Sequence, residues 1–168
     1  MNAEAIIRPA GKEHLEEIAW LAQIVWRAHY PGIISSEQIE YMLARMYAIP
    51  TMENELATGI RYDRLIVSEQ LLGFASYGPL PNQEIKLHKL YIHPQSQRRG
   101  FGTLLLEHVC AEACRLGFAN VVLTVNKANT KVIAAYQKNG FAIRDAVVMD
   151  IGGGFVMDDF VMERRLEK

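Results

Sequence analysis

The 168-residue chain has almost no net charge: its formal value at neutral pH is −1. General nucleic-acid binders carry a marked basic excess, so the balance argues against nucleic acid as a partner, although a local basic patch is still allowed. Cysteine is scarce, with only Cys110 and Cys114. They stand four apart in a helical pattern and so share a face. They do not form C-x-x-C, and no second Cys/His group completes a metal site. They read as small buried apolar residues, and no metal is expected. Two thiols without a disulfide framework point to a reducing compartment. No apolar run reaches the ~20 residues that span a bilayer. The N-terminal stretch "MNAEAIIRPAGKEHLEE" lacks the long apolar core of a signal peptide. A cytoplasmic protein without a membrane partner is expected. Linkers, repeats and low-complexity segments are also missing, so residues 1–168 are read as a single domain.

Half of the residues are apolar and 22% are charged, enough for a full hydrophobic core. "AIIRPA" opens the chain as a short strand ending at Pro9. Leu15, Ile18, Ala22 and Val25 then recur at helical spacing, with Glu13, Glu16 and Glu17 near the start, where the helix dipole favours anions. "YPGIISS" breaks that helix. Ser35 or Ser36 caps a second one, and a short helical piece is placed over 51–58. "DRLIVSE" and "LLGFASYGP" read as a hairpin turning near residues 68–71. "PLPN" reads as a loop, and "EIKLHKLYIHP" as a longer strand closed by Pro94. A helix over 99–116 carries Leu105, Val109, Ala113 and Leu116 on one stripe, and Gly117 ends it. "NVVLTV" suits a strand buried on both faces. Thr130 opens a helix over 130–139 that Gly140 closes. Two strands flanking "GGG" form a terminal hairpin. Strand–helix–strand in the middle implies one parallel pair with a right-handed crossover. The class is therefore α/β with a mixed sheet.

"QRRGFG" (97–102) lies between a strand and a helix. A helix start leaves N–H groups without partners and carries partial positive charge. Gly100 and Gly102 allow an anion to approach those groups. Arg98 and Arg99 add charge and hydrogen bonds suited to phosphate. A Walker loop needs a Lys after its last glycine, and here Thr103 and Leu104 follow Gly102. A dinucleotide fingerprint needs a third glycine, and position 105 is Leu. A tight turn with solvated arginines remains the simple alternative.

The stretch "LHKLYIHPQSQRRGFGTLLL" resembles the signature of the GCN5-related N-acetyltransferase (GNAT) superfamily through Gln97, Gly100 and Gly102. "NKANTKVIAAYQKNGF" resembles its second block through Asn129, Tyr136, Gly140 and Phe141, with Val132 where Ala is usual. The resemblance covers nearly the whole chain. It implies a GNAT fold of about seven mostly antiparallel strands, one parallel pair between the fourth and fifth strands, and four flanking helices. It also implies acetyl-CoA as the acetyl donor. The pyrophosphate would lie on the loop Gln97, Arg98, Arg99, Gly100, Phe101, Gly102 and Thr103, with Asn129 and Tyr136 nearby. A bulge would splay the preceding strand from the next parallel strand. The pantetheine arm would enter that gap and pair with the backbone of Leu90, Tyr91 and Ile92. Lys138 either reaches a CoA phosphate or is a solvated helix lysine.

Acetyl transfer to an amine needs the amine deprotonated, the carbonyl polarised and the leaving thiolate protonated. By resemblance, Tyr136 matches the tyrosine near the CoA sulfur, and a phenol is a sensible acid for a thiolate. The alternative is a core tyrosine with its hydroxyl capped. Strand alternation places Glu84, Lys86 and His88 on one face. Many family members carry Glu where this chain has Lys86, and a protonated lysine cannot accept a proton. His88, or Glu84 through a water, stands as the base; bulk water is the other reading. Tyr30 borders the acceptor in the segment between the first two helices. Trp20 and Trp26 read as core. The C-terminal hairpin and residues 30–58 resemble, more loosely, PaiA-type polyamine N-acetyltransferases. Asp158, Asp159, Glu37 and Glu40 can attract a cationic amine or are solvated carboxylates. The expected activity is acetyl transfer to a primary amine of a small molecule, polyamine-like or an amino acid or peptide. An acyl-CoA-binding sensor with weak chemistry is the alternative, favoured by Lys86. A homodimer is compatible with the edge strands and not required by them.

Overall fold

The computed structural model describes residues 3–167; residues 1, 2 and 168 of the expected span lie outside the described residues. Seven strands are formed: β1 (Ala5–Pro9), β2 (Arg61–Val67), β3 (Gln70–Leu80), β4 (Glu84–Ile92), β5 (Asn120–Asn126), β6 (Ala142–Gly152) and β7 (Phe155–Arg165). The helices are α1 (Leu15–His29), α2 (Ser36–Met46), α3 (Ile49–Ala57), α4 (Phe101–Arg115) and α5 (Thr130–Lys138). The strands make one mixed sheet in the order β1-β2-β3-β4-β5-β7-β6. Among the described residues, β4 and β5 are the only parallel pair of these strands. This is the sheet expected from the sequence.

Five helices flank the sheet rather than four, because the short piece near 51–58 is the full helix α3. Pro50 sits in its first turn, where a missing N–H is harmless, and Met52 is fully buried. Ser35 caps α2 by accepting from Gln38 N–H at 3.1 Å. Leu15, Ile18, Ala22 and Val25 are buried along α1 as their spacing predicts. Three details differ from the sequence reading. Trp20 is 65% exposed and not part of the core, since it lies on the opposite face of α1. Leu116 follows the end of α4 and is exposed, so the stripe stops at Ala113. β3 runs through Leu80, so the loop before β4 is shorter than "PLPN" suggests.

The sheet separates two cores. α4 and α5 pack on one face through Leu105, Leu106, Val109, Ala113 and Ile133. α1, α2 and α3 pack on the other through Leu15, Leu21, Trp26, Leu43 and Met52. β4 takes part in both. Ser76 of β3 faces Lys89, whereas Tyr77 faces Leu87, so His88 is an extra residue, a β-bulge. The bulge shifts the alternation. Ile85 and Leu87 face α4 before it, and Leu90 and Ile92 do so after it. Lys89 and Tyr91 then face α1–α3. The bulge also ends the parallel pairing, which covers only Glu84–Lys86 with Asn120–Val122. β5 is held along its whole length by β7 instead.

Candidate active site

Where β4 and β5 part, a cleft of about 480 Å³ opens, a size suited to a small-molecule site. Its walls are the bulged end of β4, the open edge of β5 (Leu123–Asn126), α5, and the α1–α2 face. Thr124, on the otherwise buried β5, is exposed toward it.

The loop expected to cradle a phosphate closes one end. Gln97 Nε2 donates to the carbonyl of Ile92 at 3.2 Å, tying the loop to β4. Arg98 (φ +63°) and Gly100 (φ +81°) are both left-handed. Gly100 precedes α4 and offers no side chain as a cap. The first N–H groups of α4 therefore have no partner within the helix or from a cap, and the dipole makes this end positive. A Cβ on Gly102 would meet only Ile92 Cγ1 at 3.9 Å. Gln97, Arg98, Gly100, Gly102 and Thr103 border the cleft, as do Leu90, Tyr91 and Ile92. Arg99, Phe101 and Lys138 do not. The Arg99 guanidinium lies over the Phe101 ring at 4.9 Å, and Lys138 is exposed on α5.

Tyr136 enters the cleft from α5, with its ring edge-on to Phe141 at 5.5 Å. Burial, and then the neighbouring Tyr30, push its pKa above the usual tyrosine value, so the phenol keeps its proton. His88 also borders the cleft. Burial, and then the charges of Lys86 and Lys89, push its pKa down to about 4, so its imidazole is neutral at pH 7. Glu84 stands four residues before the bulge and outside the cleft. Its carboxylate is held by Arg144, with Nη1–Oε1 at 2.5 Å. Asn129 is buried, and its Oδ1 lies 3.2 Å from His29 Nε2 at the end of α1. The hydroxyls of Tyr30 and Tyr91 are 3.0 Å apart, linking the segment after α1 to β4.

Three features escaped the sequence reading. Lys89 is 4% exposed. It donates to Tyr62 Oη (2.6 Å), Glu55 Oε1 (3.2 Å) and the Met46 carbonyl (3.4 Å). Its ammonium lies over the rings of Tyr47 (4.7 Å) and Tyr62 (5.1 Å). His29 reaches the cleft, and Trp26, although core, also lines it. Met42, Met46 and Met157 make an apolar stretch of wall. Asp159, read as either a cation-attracting or a solvated carboxylate, is 4% exposed and borders the cleft. Only Asp159 left a trace in the sequence: on an otherwise alternating strand, its carboxylate falls in phase with Met157 and Val161.

The sequence model of the "Acetyltransferase (GNAT) family" matches residues 15–141. The chain is 27% identical over 166 residues to a spermidine N(1)-acetyltransferase of Thermoplasma acidophilum, covering 96% of this chain and 97% of that protein. It is 33% identical over 101 residues to the [ribosomal protein bS18]-alanine N-acetyltransferase of Escherichia coli, covering 58% of this chain and 68% of that one. The fold superposes on the crystal structure of the PaiA N-acetyltransferase from Thermoplasma acidophilum in complex with coenzyme A. The TM-score is 0.84 at 26% identity, covering 96% of this chain and 99% of that one.

Proposed function

The chain belongs to the acetyltransferase (GNAT) family and is an N-acetyltransferase, and on that premise we propose that it moves acetyl from acetyl-CoA to a primary amine of a small cytoplasmic molecule. The acceptor is polyamine-like, or the amine of an amino acid or peptide. One observation carries the reading: the bulge at His88 parts β4 from β5 at the level where the uncapped start of α4 faces the same cleft. An extended donor fits that arrangement. Its diphosphate rests on the N–H groups of the 97–103 loop, and Arg98 adds charge there. Its amide-bearing arm hydrogen-bonds the β4 backbone along Leu90, Tyr91 and Ile92, which has no strand partner on the β5 side. The thioester then lies beside Tyr136. A similar chain, the PaiA protein from Thermoplasma acidophilum, was crystallised with coenzyme A.

The residues of the cleft divide the proton work. Tyr136 protonates the departing thiolate; its raised pKa keeps the proton available across the neutral range. His88 is unprotonated at neutral pH. It is too weak a base to strip a free ammonium, so the acceptor attacks as its neutral amine fraction, the ammonium proton having gone to bulk water. The nitrogen becomes much more acidic once it has bonded to the carbonyl carbon. His88 accepts the proton at that stage. Tyr30 lines the acceptor side and is fixed by Tyr91. Glu84, turned to Arg144, takes no part in this account. One domain spanning 1–168 carries the whole reaction.

The test is release of free thiol from acetyl-CoA across a panel of primary amines. Wild-type protein releases thiol only when an acceptor is present. Tyr136→Phe lowers kcat by ~100-fold while changing coenzyme A affinity less than about threefold. Thiol release that no amine stimulates contradicts the proposal. A Tyr136→Phe rate equal to wild type removes the acid role.

A further inference from the structure

Asp159 stands on β7 opposite Asn126 of β5. It is 4% exposed, and its Oδ1 has no hydrogen-bond partner among the described residues. Taking a carboxylate out of water without a partner is costly, and such groups are rare in native proteins. Its neighbour Asp158 does not share the problem: it is exposed and paired with Lys127 at 2.8 Å. Burial, and then the charge of Asp158, push the Asp159 pKa above the usual carboxylate value, and the nearby charges of Lys86 and Lys127 offset only part of that shift. Neither lysine makes an ion pair with it among the described residues. Asp159 thus borders the cleft as a buried carboxyl without a protein partner, and an ammonium group placed beside it would hold it in its charged form.

The surroundings define that cation. Met42, Met46 and Met157 supply apolar wall suited to methylene groups. The nearby Tyr30 hydroxyl is occupied by Tyr91. β7 lies on the far side of β5 from the β4–β5 gap, one strand spacing (~4.8 Å) beyond β5. A nitrogen at Asp159 is therefore not the nitrogen that attacks a thioester in the gap. An alkyl spacer of about three or four carbons bridges that offset.

We infer that Asp159 anchors a second, non-reacting ammonium group of the acceptor, which makes diamines and polyamines preferred over monoamines. This rests on the transfer reaction proposed above and adds its specificity determinant. The anchor is a charge-assisted hydrogen bond from the distal ammonium to the free carboxylate oxygen.

Two matched acceptors, 1,4-diaminobutane and butylamine, test it at saturating acetyl-CoA. Wild-type kcat/KM favours the diamine by at least about tenfold. Asp159→Asn lowers kcat/KM for the diamine by ~30-fold, mainly through KM, and moves butylamine by less than about threefold. The variant melts no lower than wild type, because a neutral amide is easier to bury than an unpaired carboxylate. Three results overturn the inference: no diamine preference in wild type, an unchanged preference in the variant, or equal losses for both amines. A calorimetric titration of 1,4-diaminobutane into protein saturated with coenzyme A reads the anchor without turnover. If no amine is acetylated but diamine binding is still lost in Asp159→Asn, the transfer proposal fails and the anchor stands. If the diamine binds wild type and variant alike, the anchor fails whatever the turnover.

Discussion

Lys89 places an ammonium group where 3% of its side chain meets solvent. Burial lowers its pKa, and Glu55 opposes that shift. The Tyr62 hydroxyl completes the arrangement, accepting from Lys89 at 2.6 Å and donating to Glu55 at 3.0 Å. One side chain thereby fastens α3 and β2 to the bulged strand that forms the cleft. Removing the carboxylate leaves the cation stranded, whereas removing the cation leaves a carboxylate with some access to water. Glu55→Ala is therefore expected to lower unfolding free energy by ~3 kcal/mol, and Lys89→Met by clearly less. Urea denaturation of both variants checks the order, and equal losses would contradict it. Nothing in "KLHKLYIHP" marks Lys89 as buried. Read with a period of two, it falls in phase with Ile85 and Leu87, which face α4. Only the extra residue at His88 turns it toward α1–α3.

At the level of elements, most of the fold was legible because its signals are local. Pro9, Ser35, Gly117 and Gly140 each mark a boundary that is present in the structure. The strand–helix–strand order around α4 correctly gave the single parallel pair. What stayed hidden depends on contacts distant in sequence. α3 is short and begins at a proline, and it is fixed by burying Met52. The direction of Arg99 is set by the Phe101 ring, so the two adjacent arginines of the loop part ways, Arg98 to the cleft and Arg99 away from it. Glu84 looks free beside Lys86 in the sequence, yet Arg144 comes to it across sixty residues of chain. The glycine loop was readable for the opposite reason. Its chemistry is backbone N–H groups at a helix start, and glycines advertise that directly.

Across the whole molecule, two histidines oppose each other in the dependence of stability on pH. His108 lies 3.0 Å from Asp63, which also accepts from Tyr77 at 2.6 Å. The hydrogen bond to Asp63 raises the His108 pKa above 6.5. Its contribution is fully present below pH 6.5 and fades as pH rises through the folded value. His88 works the other way. Its folded pKa of about 4 lies below the unfolded 6.5, so its contribution is present above pH 6.5 and is lost as pH falls toward 4. Thermal melts from pH 4 to 8 should show the acid-side loss reduced in His88→Asn. They should show the decline above pH 6.5 reduced in His108→Gln. Parallel curves for the variants and wild type would contradict both assignments.

The central claim is that the start of α4 and the parted strands hold the coenzyme. Calorimetric titration of coenzyme A into wild-type protein and Gly102→Glu tests it most directly. The new side chain has room, with only Ile92 Cγ1 at 3.9 Å from its Cβ. A carboxylate in the first turn favours the helix, so the variant should melt no lower than wild type. It also sets a negative charge against the diphosphate. Wild type should bind one coenzyme A per chain, and the variant should bind at least ~30-fold more weakly. Equal affinity in a variant that is equally stable would contradict the account.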